Sequence, residues 1–149
     1  MSEVRTSKIK SSLAAKLAKP GGRTLQEAER LAQAGLDARR GEVMADIGGV
    51  IAELERICAT KTPGDEARVY PLSSGIIDLA GFFDTGPLYD AAYSLCDVSE
   101  QMTTSAAWRW PPVEVHVQTL RLIHAGGCVP GPQSAALLRG LGEMVKALG

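Results

Sequence analysis

Apolar side chains recur at intervals of three and four residues along most of the chain, as they do on one face of an α-helix. The clearest stripe lies in the middle of the sequence and consists of Leu88, Ala91, Ala92, Leu95, Val98 and Met102. The alternation that is typical of a half-buried strand is confined to residues 113–117. The pattern therefore predicts an all-α protein.

The first long helix is predicted to run from Thr24 to about Ala59. Thr24 and Glu27 form a capping box, in which the Thr24 hydroxyl accepts a hydrogen bond from a backbone amide of the first turn. The inner face of this helix is predicted to carry Leu36, Val43, Ile47, Val50 or Ile51, Leu54 and Cys58. Pro63 and Gly64 are expected to end it.

Turn residues divide the remainder into shorter helices. A loop through Pro71 is expected to lead to a short helix over residues 75–83, with Ser73 or Ser74 as its N-cap. Pro87 suits the first position of the next helix. Two more helices are predicted over residues 113–125 and 133–148. The expected architecture is an antiparallel bundle of about four main helices, preceded by a short basic helix.

Charge is distributed unevenly along the chain. Residues 1–23 hold six basic residues against one acid, a net charge of +5, whereas residues 24–149 hold ten basic and 16 acidic residues, a net charge of −6. Residues 6–19 are predicted to form a short amphipathic helix. The basic residues of this arm include Lys8, Lys10, Lys16, Lys19 and Arg23. We therefore predict a basic N-terminal arm over 1–23 and one helical-bundle domain over 24–149.

Three kinds of partner suit the basic arm: an anionic membrane surface, a nucleic-acid backbone or an acidic protein. Nucleic acid is disfavoured, because no aromatic residue lies between the six charges and the whole chain has a net charge of −1. A solvated helix without a partner is the simplest interpretation.

Composition and motifs exclude several kinds of site. The three cysteines, Cys58, Cys96 and Cys128, lie far apart and form no CxxC, and with two histidines they do not assemble a structural zinc site. The sequence contains no GxSxG, GxGxxG or GxxxxGK[ST] motif. No apolar run approaches the roughly 18–20 residues of a transmembrane helix, and the N-terminus lacks the apolar segment of a signal peptide. We expect a cytoplasmic, non-enzymatic protein without a metal or cofactor.

His116 is the one candidate for covalent chemistry. It is either a phospho-acceptor or a helix-packing residue whose ring is hydrogen-bonded. An acceptor needs solvent and a nearby cation, but Arg121 is rotated about 140° away around the helix axis. We therefore favour the packing interpretation.

The candidate partner-binding residues lie in two places. Trp108, Arg109 and Trp110 combine large apolar surface with hydrogen-bond donors, as residues of protein interfaces often do. The alternative is that the two tryptophans cap the end of the bundle. Asp90, Asp97 and Glu100 are expected to face solvent from the helix that begins at Pro87.

Several segments of the sequence are distinctive when taken together. They are LAKPGGRT (17–24) followed by Glu27-Ala28, LYDAAYSLCD (88–97), Trp110, and VHV (115–117) with LRL (120–122). These segments resemble those of the small CheE-type proteins encoded in chemotaxis operons of alphaproteobacteria. The resemblance implies an accessory protein of chemotaxis or two-component signalling that binds other signalling proteins, such as response regulators or the chemotaxis kinase.

A helical bundle is also similar to histidine phosphotransfer domains. Those domains carry a Lys and a Gly shortly after the reactive histidine, whereas Val117, Gln118 and Thr119 follow His116 here. The comparison implies a response-regulator docking surface without phosphotransfer chemistry. Phosphotransfer through His116 is kept as an alternative function.

Overall fold

The computed structural model describes residues 24–83 and 85–148. Within these residues it contains five helices and no strand. The helices are α1 (Leu25–Thr60), α2 (Glu66–Ala80), α3 (Pro87–Thr104), α4 (Trp110–Ala125) and α5 (Pro132–Leu148). The predicted all-α helical bundle is therefore confirmed.

The chain divides into two compact units, Met1–Gly41 and Glu42–Gly149. The division falls inside α1, whereas the sequence suggested one between residues 23 and 24. Of the first unit only residues 24–41 are described, and all of them are helical except Thr24. The predicted basic arm lies outside the described residues.

The start of α1 follows the predicted capping motif. The Glu27 backbone N–H donates to Thr24 Oγ1 at 3.1 Å, which gives one of the first-turn amides a partner that the helix itself cannot supply. The helix ends at Thr60, and Lys61 then adopts a left-handed conformation with φ of 49°. Both ends of α1 agree with the sequence to within a residue.

In the second unit α1 contributes one face to the core. Ile47, Ile51, Leu54 and Ile57 are buried, and Val43 and Cys58 are half-buried beside them. Leu36 was predicted on the same seam and lies in the first unit, where 53% of it is exposed. The prediction was therefore wrong for Leu36.

The predicted loop through Pro71 and the short helix over 75–83 were wrong. One helix, α2, continues through Pro71, which is exposed. Proline costs a helix interior about 3 kcal/mol, because it lacks an N–H and crowds the preceding turn. Burial of the face made by Val69, Ser73, Ile76 and Ala80 offsets that cost. Ser73 does not cap a helix but donates to the Val69 carbonyl at 2.7 Å.

Helices α3 and α4 form the centre of the second unit. Helix α3 begins at Pro87, as predicted, and packs against α2, α4 and α5, while α4 also packs against α5. All six apolar residues predicted for the inner stripe of α3 are buried. Helix α4 begins at Trp110, before the expected 113, because Pro111 and Pro112 occupy its first turn, where N–H groups have no helical partner anyway.

Candidate functional site

The exposed side of α3 is the most distinctive surface of the second unit. It consists of Tyr89, Asp90, Tyr93, Asp97 and Glu100, and we call it the acidic–tyrosine face. These positions follow the helical repeat, so their side chains share one side of α3, opposite the buried stripe. Tyr93 is 55% exposed and Tyr89 is 40% exposed. Three carboxylates therefore lie among two aromatic rings on a rigid helix.

The charges of the acidic–tyrosine face have no compensating cations nearby in sequence. No Lys or Arg occurs from Val69 to Trp108. The ion pairs among residues 24–83 and 85–148 use Glu53, Asp65 and Glu114 as their acids, and none uses an acid of α3. The face therefore presents negative charge that is available to a partner.

A shallow groove runs beside this face. It is lined by Glu66, Tyr70 and Pro71 of α2 and by Glu100 and Thr103 of α3, among others. Tyr70 is partly exposed there, and Glu66 adds a further carboxylate. The Glu66 carboxylate also accepts a hydrogen bond from the Gly64 backbone N–H at 2.9 Å, and this bond fixes the start of α2. The groove extends the acidic and aromatic surface from α3 onto α2.

The Trp108–Arg109–Trp110 segment divides between core and surface. The two indole rings meet edge to face, with centroids 5.5 Å apart and planes at 79°, and both pack against the hydrophobic core. Arg109 between them is exposed and has an extended backbone. This arrangement fits tryptophans that cap the end of the bundle, and it leaves Arg109 as the exposed member of the segment.

His116 is fully buried and both of its ring nitrogens are hydrogen-bonded. Nδ1 lies 2.7 Å from the Pro112 carbonyl oxygen, which only accepts, so Nδ1 carries the proton. Nε2 then accepts from the Ser94 hydroxyl at 2.9 Å. Burial lowers the pKa of His116, which keeps the ring neutral.

The phospho-acceptor hypothesis for His116 does not fit this geometry. Phosphoryl transfer needs a ring nitrogen that solvent and a donor protein reach, and His116 offers neither nitrogen. The ring instead links α4 to α3 through Ser94, as the packing interpretation predicts. Ser94 was not identified from the sequence, because it lies 22 residues from His116 and no local motif joins them.

His124 makes a second link between helices. Its Nε2 donates to the Met44 carbonyl of α1 at 2.7 Å. Gly48, one turn further along α1, makes room for the ring, since a Cβ atom there would lie 3.1 Å from His124 Cε1. No local motif in the sequence indicates this contact, because Met44 and His124 lie 80 residues apart.

Neither Cys58 nor Cys96 is an activated thiol, and the concavity between α4 and α5 has no titratable lining. Burial raises the pKa of Cys58 and of Cys96 to about 11, so both stay protonated and weakly nucleophilic at neutral pH. No cluster of three or more His, Cys, Asp or Glu side chains suited to a metal ion occurs in the described parts of the chain. The concavity where α4 turns into α5 is lined by residues such as Leu122, Val129 and Gln133 and by no titratable side chain.

Three further findings concern the chain as a whole or residues away from α3. None of the helices between residues 24 and 148 is both long and apolar enough to cross a bilayer. The basic residues of the predicted N-terminal arm, from Lys8 to Arg23, lie outside the described residues. No family model, curated protein or solved structure matches the chain.

Proposed function

We propose that this protein is a non-enzymatic helical adaptor of bacterial chemotaxis or two-component signalling. In this role it binds signalling proteins, with response regulators and the chemotaxis kinase as the candidate partners. The observation that carries the proposal is the acidic–tyrosine face of α3. The pathway itself comes from the sequence resemblance to CheE-type proteins.

Three features of the acidic–tyrosine face suit protein recognition. Tyrosine combines apolar area with a hydrogen-bonding hydroxyl and loses little conformational entropy when it is buried, so it is enriched in interfaces. Unpaired carboxylates steer a basic partner and fix its register. The buried side of α3 packs against three other helices, so the face is already rigid before a partner arrives.

The partner surface that fits this face is basic. Arginine suits it best, because a guanidinium binds a carboxylate through two parallel hydrogen bonds and stacks on an aromatic ring. Asp97 and Glu100 lie one turn apart beside Tyr93, which places both kinds of contact within reach of one basic segment. We expect binding that weakens as salt concentration rises.

A binding assay with a charge-reversal variant tests the proposal. Titration calorimetry would measure the affinity of receiver domains and of the chemotaxis kinase for the wild type, for D97K/E100K and for D46K/E143K. The two variants change net charge equally, and the control residues Asp46 and Glu143 are exposed positions outside α3.

The proposal predicts that D97K/E100K weakens binding at least tenfold, whereas D46K/E143K changes it less than about twofold. Absence of binding to every receiver domain and to the kinase would refute the adaptor role in this pathway. Equal loss in both variants would refute the assignment to α3, because it would mean that only net charge matters.

A further inference from the structure

The described part of the first unit carries an apolar face that nothing covers among residues 24–83 and 85–148. It consists of Leu25, Ala28, Leu31, Ala32, Gly35 and Leu36, which we call the N-terminal face of α1. The three leucines are 62%, 52% and 53% exposed, in chain order. A Cβ atom added at Gly35 would have no neighbour within 4 Å. This part of α1 therefore has space for a second helix.

The arrangement of this face suits close packing of helices. Ala28, Ala32 and Gly35 fall along its centre, and the leucines lie on either side of them. Small residues in the centre allow another helix to approach, and the flanking leucines cover its sides. The opposite side of the same segment is polar, where the Gln33 side chain donates to Asp37 Oδ1 at 3.0 Å. The segment is thus amphipathic without a described partner.

Physical chemistry makes such a segment a poor candidate for permanent solvent exposure. Residues 25–41 form about five turns of α1, and in proteins most of the stability of a helix comes from packing of its apolar side. Contiguous apolar surface on a rigid helix is typical of an interaction site. We therefore expect another helix to cover the N-terminal face of α1.

The charges of the segment favour an antiparallel copy of the same segment as that helix. Arg30 and Asp37 lie on the opposite, polar side of the helix. On or beside the apolar side, Glu27 and Glu29 lie near the start of the segment, and Arg39 and Arg40 lie near its end. None of the four takes part in an ion pair within the described residues. An antiparallel copy of the same segment places the acidic end of one helix beside the basic end of the other. A parallel copy would place like charges together.

We propose that the N-terminal face of α1 binds a second copy of this chain as an antiparallel helix pair with two-fold symmetry. Symmetry makes the interface self-complementary, so each favourable contact occurs twice. In this pairing Ala28 of one copy lies opposite Arg39 of the second copy. The long Arg39 side chain passes over Ala28 towards Glu27 or Glu29 of the first copy. The proposal concerns the first unit and does not depend on the function proposed for α3.

Charge exchange between two variants tests this pairing in the full-length protein. One variant carries E27R/E29R and the other carries R39E/R40E. Neither change removes the Thr24 cap, because that bond uses the Glu27 backbone N–H and not its side chain. Analytical ultracentrifugation gives the mass of each variant and of their mixture. One variant is fused to a tag, so that the heterodimer differs in mass from either homodimer. Far-UV circular dichroism verifies that both variants remain helical.

The wild type is expected to be a dimer. Each variant alone is expected to have a dimer dissociation constant at least tenfold higher than that of the wild type. The equimolar mixture is expected to form a heterodimer, because one copy then supplies four basic and the other four acidic side chains. The proposal is overturned by a monomeric wild type, which would mean that another segment, such as residues 1–23, covers the face. It is also overturned by variants that still dimerise alone, or by a mixture that stays monomeric.

Discussion

The two halves of α1 share one helix and one spacing of apolar residues, but their surroundings differ. Between Glu42 and Thr60 the apolar positions are occupied mainly by Ile, Val and Leu and are buried in the second unit. Between Leu25 and Gly41 they are occupied by leucine and by small residues, and the leucines are exposed. The spacing of apolar residues therefore indicates that a helix has an apolar side, but it does not indicate what packs against that side.

The largest expected difference between the halves is the cost of removing a leucine. Leu54 is fully buried, so Leu54→Ala is expected to lower the free energy of unfolding by about 2–5 kcal/mol. Leu36→Ala, the matched change in the exposed half, is expected to alter the free energy of unfolding of the dissociated monomer by less than about 0.5 kcal/mol. Urea denaturation of dilute protein measures both, and equal effects would mean that the two halves are packed alike.

The second expected difference is loss of stability through protonation of a buried histidine, which concerns the second unit because residues 1–41 contain no histidine. Burial lowers the pKa of His116 in the folded protein, whereas the unfolded chain takes up a proton near the usual value of 6.5. Protons therefore favour the unfolded state, and stability falls as pH drops through 6.5, by up to about 1.4 kcal/mol per pH unit.

Thermal melts of the wild type and of His116→Gln between about pH 7.5 and pH 5 check this expectation. The glutamine amide cannot reproduce both buried hydrogen bonds of the imidazole ring, so the variant is expected to melt earlier at the higher pH. It is also expected to lose less stability than the wild type on acidification. Parallel pH profiles for the two proteins would show that His116 is not the group responsible.

Two glycines provide the third comparison. Gly41→Ala places a methyl group in open space and is expected to stabilise the helix by about 0.5–1 kcal/mol. Gly48→Ala places it 3.1 Å from His124 Cε1, so the ring has to shift and its bond to the Met44 carbonyl weakens. We expect Gly48→Ala to be less stable than Gly41→Ala by at least about 1 kcal/mol. The midpoints of urea denaturation give this difference directly, and a Gly48 variant as stable as the Gly41 variant would contradict the packing at His124.

The smallest effect is expected at the start of α1. Thr24→Ala removes the acceptor for the Glu27 N–H, which costs the first turn about 0.5–1 kcal/mol. Amide hydrogen exchange at Glu27 is expected to accelerate, while exchange at Leu54 stays unchanged. Faster exchange at both positions would indicate that the two halves of α1 open together.

Local chemistry explains why much of the fold was predictable. The buried stripe of α3 follows from its spacing, and the starts of α1 and α3 follow from Thr24 and Pro87. Pro71 misled the prediction, because its local preference against a helix interior is outweighed by burial of the face that includes Val69 and Ile76. Such burial depends on helices that are distant in sequence.

The candidate site was predictable only in part. The acids of α3 were placed on its exposed side from their spacing, but Tyr89 and Tyr93 were not singled out with them. The Ser94–His116 and Met44–His124 contacts join residues that are 22 and 80 positions apart. No spacing rule connects such pairs, since they depend on how whole helices pack.

The most direct test of partner binding at α3 is a nuclear magnetic resonance titration. Isotope-labelled protein would be mixed with an unlabelled receiver domain or with the chemotaxis kinase, and amide shifts would be followed residue by residue. We predict that the largest shifts occur on the exposed side of α3, at Tyr89, Tyr93 and Asp97. Shifts confined to α1 or α5, or the absence of shifts with every candidate partner, would contradict the proposal that this face is the binding surface.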